Sequence, residues 1–459
     1  MDSFPRTALA IGEAIQRGEL DPVALTRHCL AKAKDSDAVF ISLTPDRALA
    51  EAEAAAQRRR YGTALGPLDG VPLAWKDLFN ITGSLTTAGS QVLAEAPAKC
   101  DAAAVRHAAG AGMVCIGKTN LTELAYSGLG LNPHYGTPHH TPGGGEPRVP
   151  GGSSSGSAVA VAKGIVPAAI GTDTAGSLRV PAAFNGLVSY RPSQARHSRE
   201  GVTPLAYSLD TIGVMATSLE DCLAIDDAMR GQAVQVREPA DPECTVIVLD
   251  TACLDDERVE QGVRQNLEKS AERLANAGFH LVRRKLASIS DTLDLIQCHG
   301  WLGAAEAYTE YRELLERDAA KDMDPRVRQR LLGAQKMTPD SVVTLYRQRR
   351  ALQSQLRHEL AGATLLTPTV AHAAPLLAPL KDDPERFAEV NLATLRLSMV
   401  ASLLDAPAVA LPSGVDEQQH TSIQLTAPCG EDEALLRVAL AASYHTDCPT
   451  DPEQARCLP

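Results

Sequence analysis

Little in this sequence is basic, aromatic or continuously apolar, and each shortage closes off a class of function. Lys and Arg number 44 against 56 Asp and Glu, a formal charge of -12. The cations are scattered among acids, so there is no stripe to grip a phosphate backbone, and nucleic acid is excluded as a direct ligand. Phe, Tyr and Trp make up 4% of the chain, which argues against a large aromatic cage. No stretch reaches the ~18 uninterrupted apolar residues of a membrane helix. The opening MDSFPRTALAIGEAIQRGEL lacks a basic n-region and meets Glu13, Gln16 and Arg17 early, unlike a signal peptide. The 10 cysteines form no CxxC pair, which suits reduced thiols in a cytoplasmic protein and gives none a metal or catalytic role.

What is present is an alternation of helix and strand signals. Asp21-Pro22 and Thr44-Pro45 each read as a helix start, the second opening an alanine-rich run to Arg59. Strands are predicted at Val71 to Trp75, delivering Lys76, then at Met113 to Ile116, Ala168 to Gly171 and Leu187 to Tyr190. Further strands follow at Thr245 to Leu249, Phe279 to Arg284, Thr364 to Thr367, Pro407 to Leu411 and Thr421 to Leu425. Helices are predicted at Ala102 to Ala109, Leu121 to Tyr126 and Gly156 to Lys163, with a Gly/Pro/His-rich loop from Gly128 to Gly152. This alternation predicts a three-layer α/β/α fold around a mixed, twisted sheet. One domain is expected over residues 1–459: outer helices at 1–60, a catalytic core segment at 61–235, and a variable helical region at 286–360 that shapes the pocket.

Two segments carry the chemistry, PGGSSSGSAVAVAKG (Pro150 to Gly164) and GTDTAGSLRVPAAFNG (Gly171 to Gly186). Amide hydrolysis needs a nucleophile, a proton shuttle and oxyanion donors, and each has a candidate. Ser177 ends a turn of small residues in which the backbone N–H groups of Thr174, Ala175, Gly176 and Ser177 can converge. Lys76 serves as base only if its pKa falls by roughly three units from ~10.4, about 4 kcal/mol. Apolar Leu73, Trp75, Leu78 and Phe79 suit that demand, whereas Asp77 opposes it if it faces inward. Ser153 completes a Ser-Ser-Lys relay.

These segments resemble the signature of the amidase signature family, and Ser153 and Ser177 have its 24-residue separation. GPLDGVPLAWKDLFNITGSLTTAGS resembles the family's lysine segment; GKTNLTELA, YGTP, SLDTIG, LLTPTV and DAPAVALPSG are similar to further family segments, in order along nearly the whole chain. The resemblance implies Lys76, Ser153 and Ser177 as catalytic residues, a cis Gly152–Ser153 peptide and an acyl-enzyme on Ser177. It implies no metal or organic cofactor. It further implies a small-molecule amide substrate and a homodimer, with a glutamine-hydrolysing amidotransferase subunit, working with a partner, as the alternative. Ala175 replaces the usual glycine and fits only if it keeps a negative φ. Ser155 replaces another common glycine, and His139-His140 replaces the usual Asn-Pro after YGTP.

Two rival motifs match by letter. Gly112 to Thr119 fits the phosphate-loop pattern GxxxxGK[ST], but its inner residues read as the strand itself. Gly152 to Gly156 fits the nucleophile elbow GxSxG around Ser154, with His372 as a partner, but follows a loop where an elbow needs a strand. Arg179 reads as a structural salt bridge or, less commonly, a clamp for a substrate carboxylate. Asp173 reads as orienting its turn, His139 and His140 as loop residues, and Glu306, Tyr308 and Tyr311 as surface or pocket.

Overall fold

Runs such as Pro72 to Trp75 and Ala168 to Ile170 have no polar side, which suits strands covered on both faces. The computed structural model describes residues 4–93, 96–139, 145–416 and 419–446 and places these runs deep in one mixed sheet. Its strands are β1 (Phe40–Leu43), β2 (Pro72–Lys76), β3 (Val114–Thr119), β4 (Ala168–Asp173), β5 (Val188–Arg191), β6 (Thr211–Ala216), β7 (Val246–Asp250), β8 (His280–Arg284), β9 (Thr364–Pro368), β10 (Ala408–Asp416) and β11 (Gln419–Thr426). Their order is β1-β3-β2-β4-β6-β5-β10-β11-β9-β7-β8. β3-β2-β4 and β9-β7-β8 are parallel; the other neighbours are antiparallel. Every residue of β2, β3, β4 and β6 is buried, so helices flank this part of the sheet as the three-layer expectation requires. The edge strand β8 is largely exposed and ends in Arg283 and Arg284, charges that discourage edge pairing.

The helices at Pro22–Lys34 and Pro45–Tyr61 form where predicted. Asp21 caps the first through a 3.1 Å bond from the Ala24 N–H. Thr44 instead donates to the Cys115 carbonyl at 2.8 Å, tying the second helix to the neighbouring strand. A helix at Ala8–Arg17 and the strands β1 and β6 are additional to the sequence reading. The helix expected at Leu121 to Tyr126 shrinks to a single 3-10 turn, Glu123–Ala125. Leu124 and Ala125 take φ of 51° and 58° there, conformations that an α-helix excludes.

The GGSSSGS run is no flexible connector, since residues 151–161 are all buried. The helix Ser155–Ala162 lies so close to its surroundings that a Cβ on Gly156 would stand 2.4 Å from the Val39 carbonyl oxygen. Small side chains here permit backbone to pack on backbone, bringing Ser153 to the ends of β2 and β4. The region 286–360 folds into the helices Ala287–His299, Leu302–Leu315, Pro325–Gly333 and Pro339–Leu360. None of the helices among the described residues is long and apolar enough to cross a membrane.

Candidate active site

β2 and β4 are parallel neighbours, with Trp75 paired to Ile170, so Lys76 leaves β2 beside the last residues of β4. Its fully buried Nζ lies 2.7 Å from Ser153 Oγ and 2.8 Å from Thr172 Oγ1. Burial lowers the Lys76 pKa to about 7, against the opposing pull of Asp210 and Asp173. Asp77 does not contribute to that pull. It forms a 2.5 Å ion pair with buried Lys118 and accepts from the Thr87 N–H at 3.0 Å. Burial shifts both partners toward neutrality, raising the Asp77 carboxyl and lowering the Lys118 ammonium.

The Gly152–Ser153 peptide is cis. The Gly152 N–H donates to the Gly128 carbonyl at 2.7 Å, and the Ser153 carbonyl accepts from Thr122 at 3.1 Å, so both sides of this bond are held by neighbouring backbone.

The turn carrying Ser177 is built around Asp173. Its carboxylate accepts from the N–H of Gly176 at 2.8 Å and of Leu178 at 3.2 Å, and pairs with Arg179 at 3.0 Å. Burial alone would raise Asp173, but Arg179, Arg191 and the Leu178 N–H outweigh it and hold the carboxyl at about 2. Arg179 is fully buried and also bonds Gln424 Oε1 and Ser402 Oγ, each at 2.8 Å, so of its two sequence readings the structural salt bridge is the one present. The positive φ of the turn, 132°, falls on Gly176, and Ala175 is outside the positive-φ residues. A Cβ at Gly176 would stand 2.1 Å from Ser398 Oγ, which itself donates to the Ala175 carbonyl at 2.6 Å.

Asp210, unassigned from sequence although it lies within SLDTIG, accepts from Thr174 Oγ1 at 2.5 Å and from the N–H groups of Leu205 and Ala206 at 2.8 and 3.0 Å. It thus joins the Ser177 turn to the electrostatics of Lys76. Thr172 was also unassigned, although it lies within the Gly171 to Gly186 segment.

Ser177, Thr174 and Ala175 line a cavity of about 250 Å³. Trp301, Arg330 and Met337 enter it from the helical region 286–360. The described part of the loop Gly128 to Gly152 does not line it; residues 125–127 and the helix Pro384–Leu403, through Asn391 and Met399, do so instead. Glu306, Tyr308 and Tyr311 are engaged elsewhere, with Ser208, Gln335 and Pro204. His140 lies outside the described residues.

The rival motifs are excluded by placement. Lys118 is buried, bonded to the Leu85 carbonyl at 2.6 Å and Thr86 Oγ1 at 2.7 Å, on β3 itself. Ser154 Oγ donates to the Thr172 carbonyl at 3.3 Å, while His372 Nε2 meets Thr394 Oγ1 at 3.0 Å. Burial pushes the thiols of Cys29 and Cys115 up to about 12, so neither is a thiolate at neutral pH.

The amidase family model matches residues 24–436. The 2-amino-5-chloromuconic acid deaminase of Comamonas testosteroni is 33% identical over 445 residues, covering 93% of each chain. A glutamyl-tRNA(Gln) amidotransferase subunit of Chloroflexus aurantiacus is 31% identical over 491 residues, covering 96% of this chain and 98% of the relative. A solved crystal structure of an amidase superposes with a TM-score of 0.85 at 29% identity, covering 96% of this chain and 100% of that one.

Proposed function

This chain belongs to the amidase family, and we propose that it hydrolyses a linear carboxamide to a carboxylate plus ammonia or an amine through an acyl-enzyme on Ser177. The observation that carries this reading is the 2.7 Å contact between Ser153 and a buried Lys76 whose pKa is near 7, behind a turn that presents Ser177 to the cavity. Neutral Lys76 takes the Ser177 proton through Ser153 as Oγ attacks the carbonyl carbon. The tetrahedral intermediate collapses as the C–N bond breaks and the proton passes to the departing nitrogen. Water, deprotonated along the same path, then cleaves the ester and frees Ser177.

The oxyanion needs N–H donors. Of the four assigned from sequence, Gly176 already donates to Asp173, so Thr174, Ala175 and Ser177 are the donors we assign. The negative φ of Ala175 supports its inclusion.

Mass-spectrometric screening against small amides, ureas, dipeptide amides and glutamine, with Ser177→Ala as the blank, tests the proposal. Hydrolysis that persists in the blank overturns it. The full-length similarity to one chain of an amidotransferase favours a second reading, glutaminase activity serving a partner chain. Glutamine turnover that appears only with a co-purifying partner would establish that reading, and turnover of other amides by the isolated chain would exclude it.

A further inference from the structure

Among the described residues, Arg330 is the one charged side chain in the lining of the Ser177 cavity, and no Asp or Glu lines it. Its Nη1 donates to the Tyr126 carbonyl, and its guanidinium sits 4.3 Å from the centre of the Tyr126 ring. Both contacts aim the group; neither neutralises it. No carboxylate among the described residues forms an ion pair with Arg330, whereas the partly buried Arg47, Arg196 and Arg237 each have one. Burial pulls the Arg330 guanidinium below the usual arginine range, with only Tyr126 opposing.

A second donor faces the same space. Asn391 uses its carbonyl oxygen to accept from Ser127 Oγ at 3.0 Å and the Gly128 N–H at 2.7 Å. Its amide nitrogen is thereby left for the cavity that Asn391 lines.

We propose that Arg330, with Asn391, binds a carboxylate on the substrate, so that the amide cleaved at Ser177 is a small half-amide of a dicarboxylic acid. The inference rests on the amidase reading above and supplies its substrate class. A planar guanidinium lining a small cavity is matched by a carboxylate through paired, charge-assisted bonds. An uncharged amide would leave the partly buried cation uncompensated. Glutamine fits less well, because its ammonium finds no acid in this lining. The volume of about 250 Å³ lies below the ~300–1,000 Å³ of pockets for drug-sized ligands, which also selects a short substrate.

The test compares near-isosteric pairs on the full chain: succinamic acid against succinamide, and glutaramic acid against glutaramide, by ammonia release. The acids are expected to exceed the diamides about 10- to 100-fold in kcat/KM, with glutamine below glutaramic acid. Arg330→Gln should collapse that ratio mainly through KM, and Arg330→Lys should restore part of it. Diamides turned over as well as the acids by the wild-type chain overturn the proposal, even if Arg330→Gln fails to fold. Calorimetry of the Ser177→Ala chain with succinate and glutarate separates this inference from the catalytic one. Saturable binding that disappears on adding Arg330→Gln supports the anion site whether or not any amide is cleaved. Absence of binding of both anions overturns it.

Discussion

The sharpest consequence of the site concerns the proton on Lys76. Its pKa moves from 10.5 to about 7, and at 1.36 kcal/mol per unit the buried ammonium is about 5 kcal/mol less favourable than an exposed one. Two observables follow. As base, Lys76 works only when neutral, so kcat/KM for an amide should rise about tenfold per pH unit below 7 and level off above it. Asp210→Asn should move that limb to lower pH, because the carboxylate that helps hold the proton is gone. The second observable is stability. Between about pH 7 and 10.5 the unfolded chain keeps a proton that the folded chain has shed, so raising pH through this window stabilises the folded state. Below pH 7 both states hold the proton and the full penalty applies. Lys76→Met lacks this component, so urea unfolding from pH 6 to 10 should find the wild type gaining on the variant by several kcal/mol. A rate limb near pH 10, or parallel stability curves for the two proteins, would refute the reasoning.

Other expectations are simpler. Ser177→Ala should lower kcat by at least about 10⁴-fold with its thermal midpoint nearly unchanged, and Ser153→Ala by about 10²- to 10⁴-fold, both read by ammonia release. Asp173→Asn leaves Arg179 buried without its partner and should destabilise by about 3–5 kcal/mol in denaturant titration. In the wild type that pairing persists at low pH and is lost only as pH falls through about 2. Gly176→Ala forces an alanine to φ 132° against Ser398 and should abolish activity and lower stability. Ala175→Gly should cost only about 0.5–1 kcal/mol and keep activity; a dead Ala175→Gly enzyme with an intact fold would contradict the conformation assigned to that turn.

The fold was legible where local pattern and burial agree. Nine of the eleven strands among the described residues were predicted within a few residues of their positions, because short apolar runs bounded by turn residues have few other uses. β1 was missed because its four residues are all half-buried with no alternation. β6 begins inside SLDTIG, at Thr211, where Asp210 and Gly213 interrupt the apolar run. The residues Leu121 to Tyr126 look helical by composition. Glu123, however, binds Ser90 and the Asp324 N–H at 2.6 and 2.5 Å, and those distant partners hold a tighter turn.

The sequence by itself determined which side chains are available for chemistry: a lysine ending an apolar strand, and two serines in runs of small residues that tolerate close backbone approach. Tertiary structure decided which charges act on them. Asp77, adjacent to Lys76 in the chain, turns to Lys118, whereas Asp210 and Asp173, far away in sequence, supply the opposing field. It also walled the cavity with residues 125–127 and the helix Pro384–Leu403, and left Arg330 there with no acid beside it among the described residues. The reason is the strand order: crossovers place residues a hundred or more positions apart side by side, and electrostatics depends on distance through space.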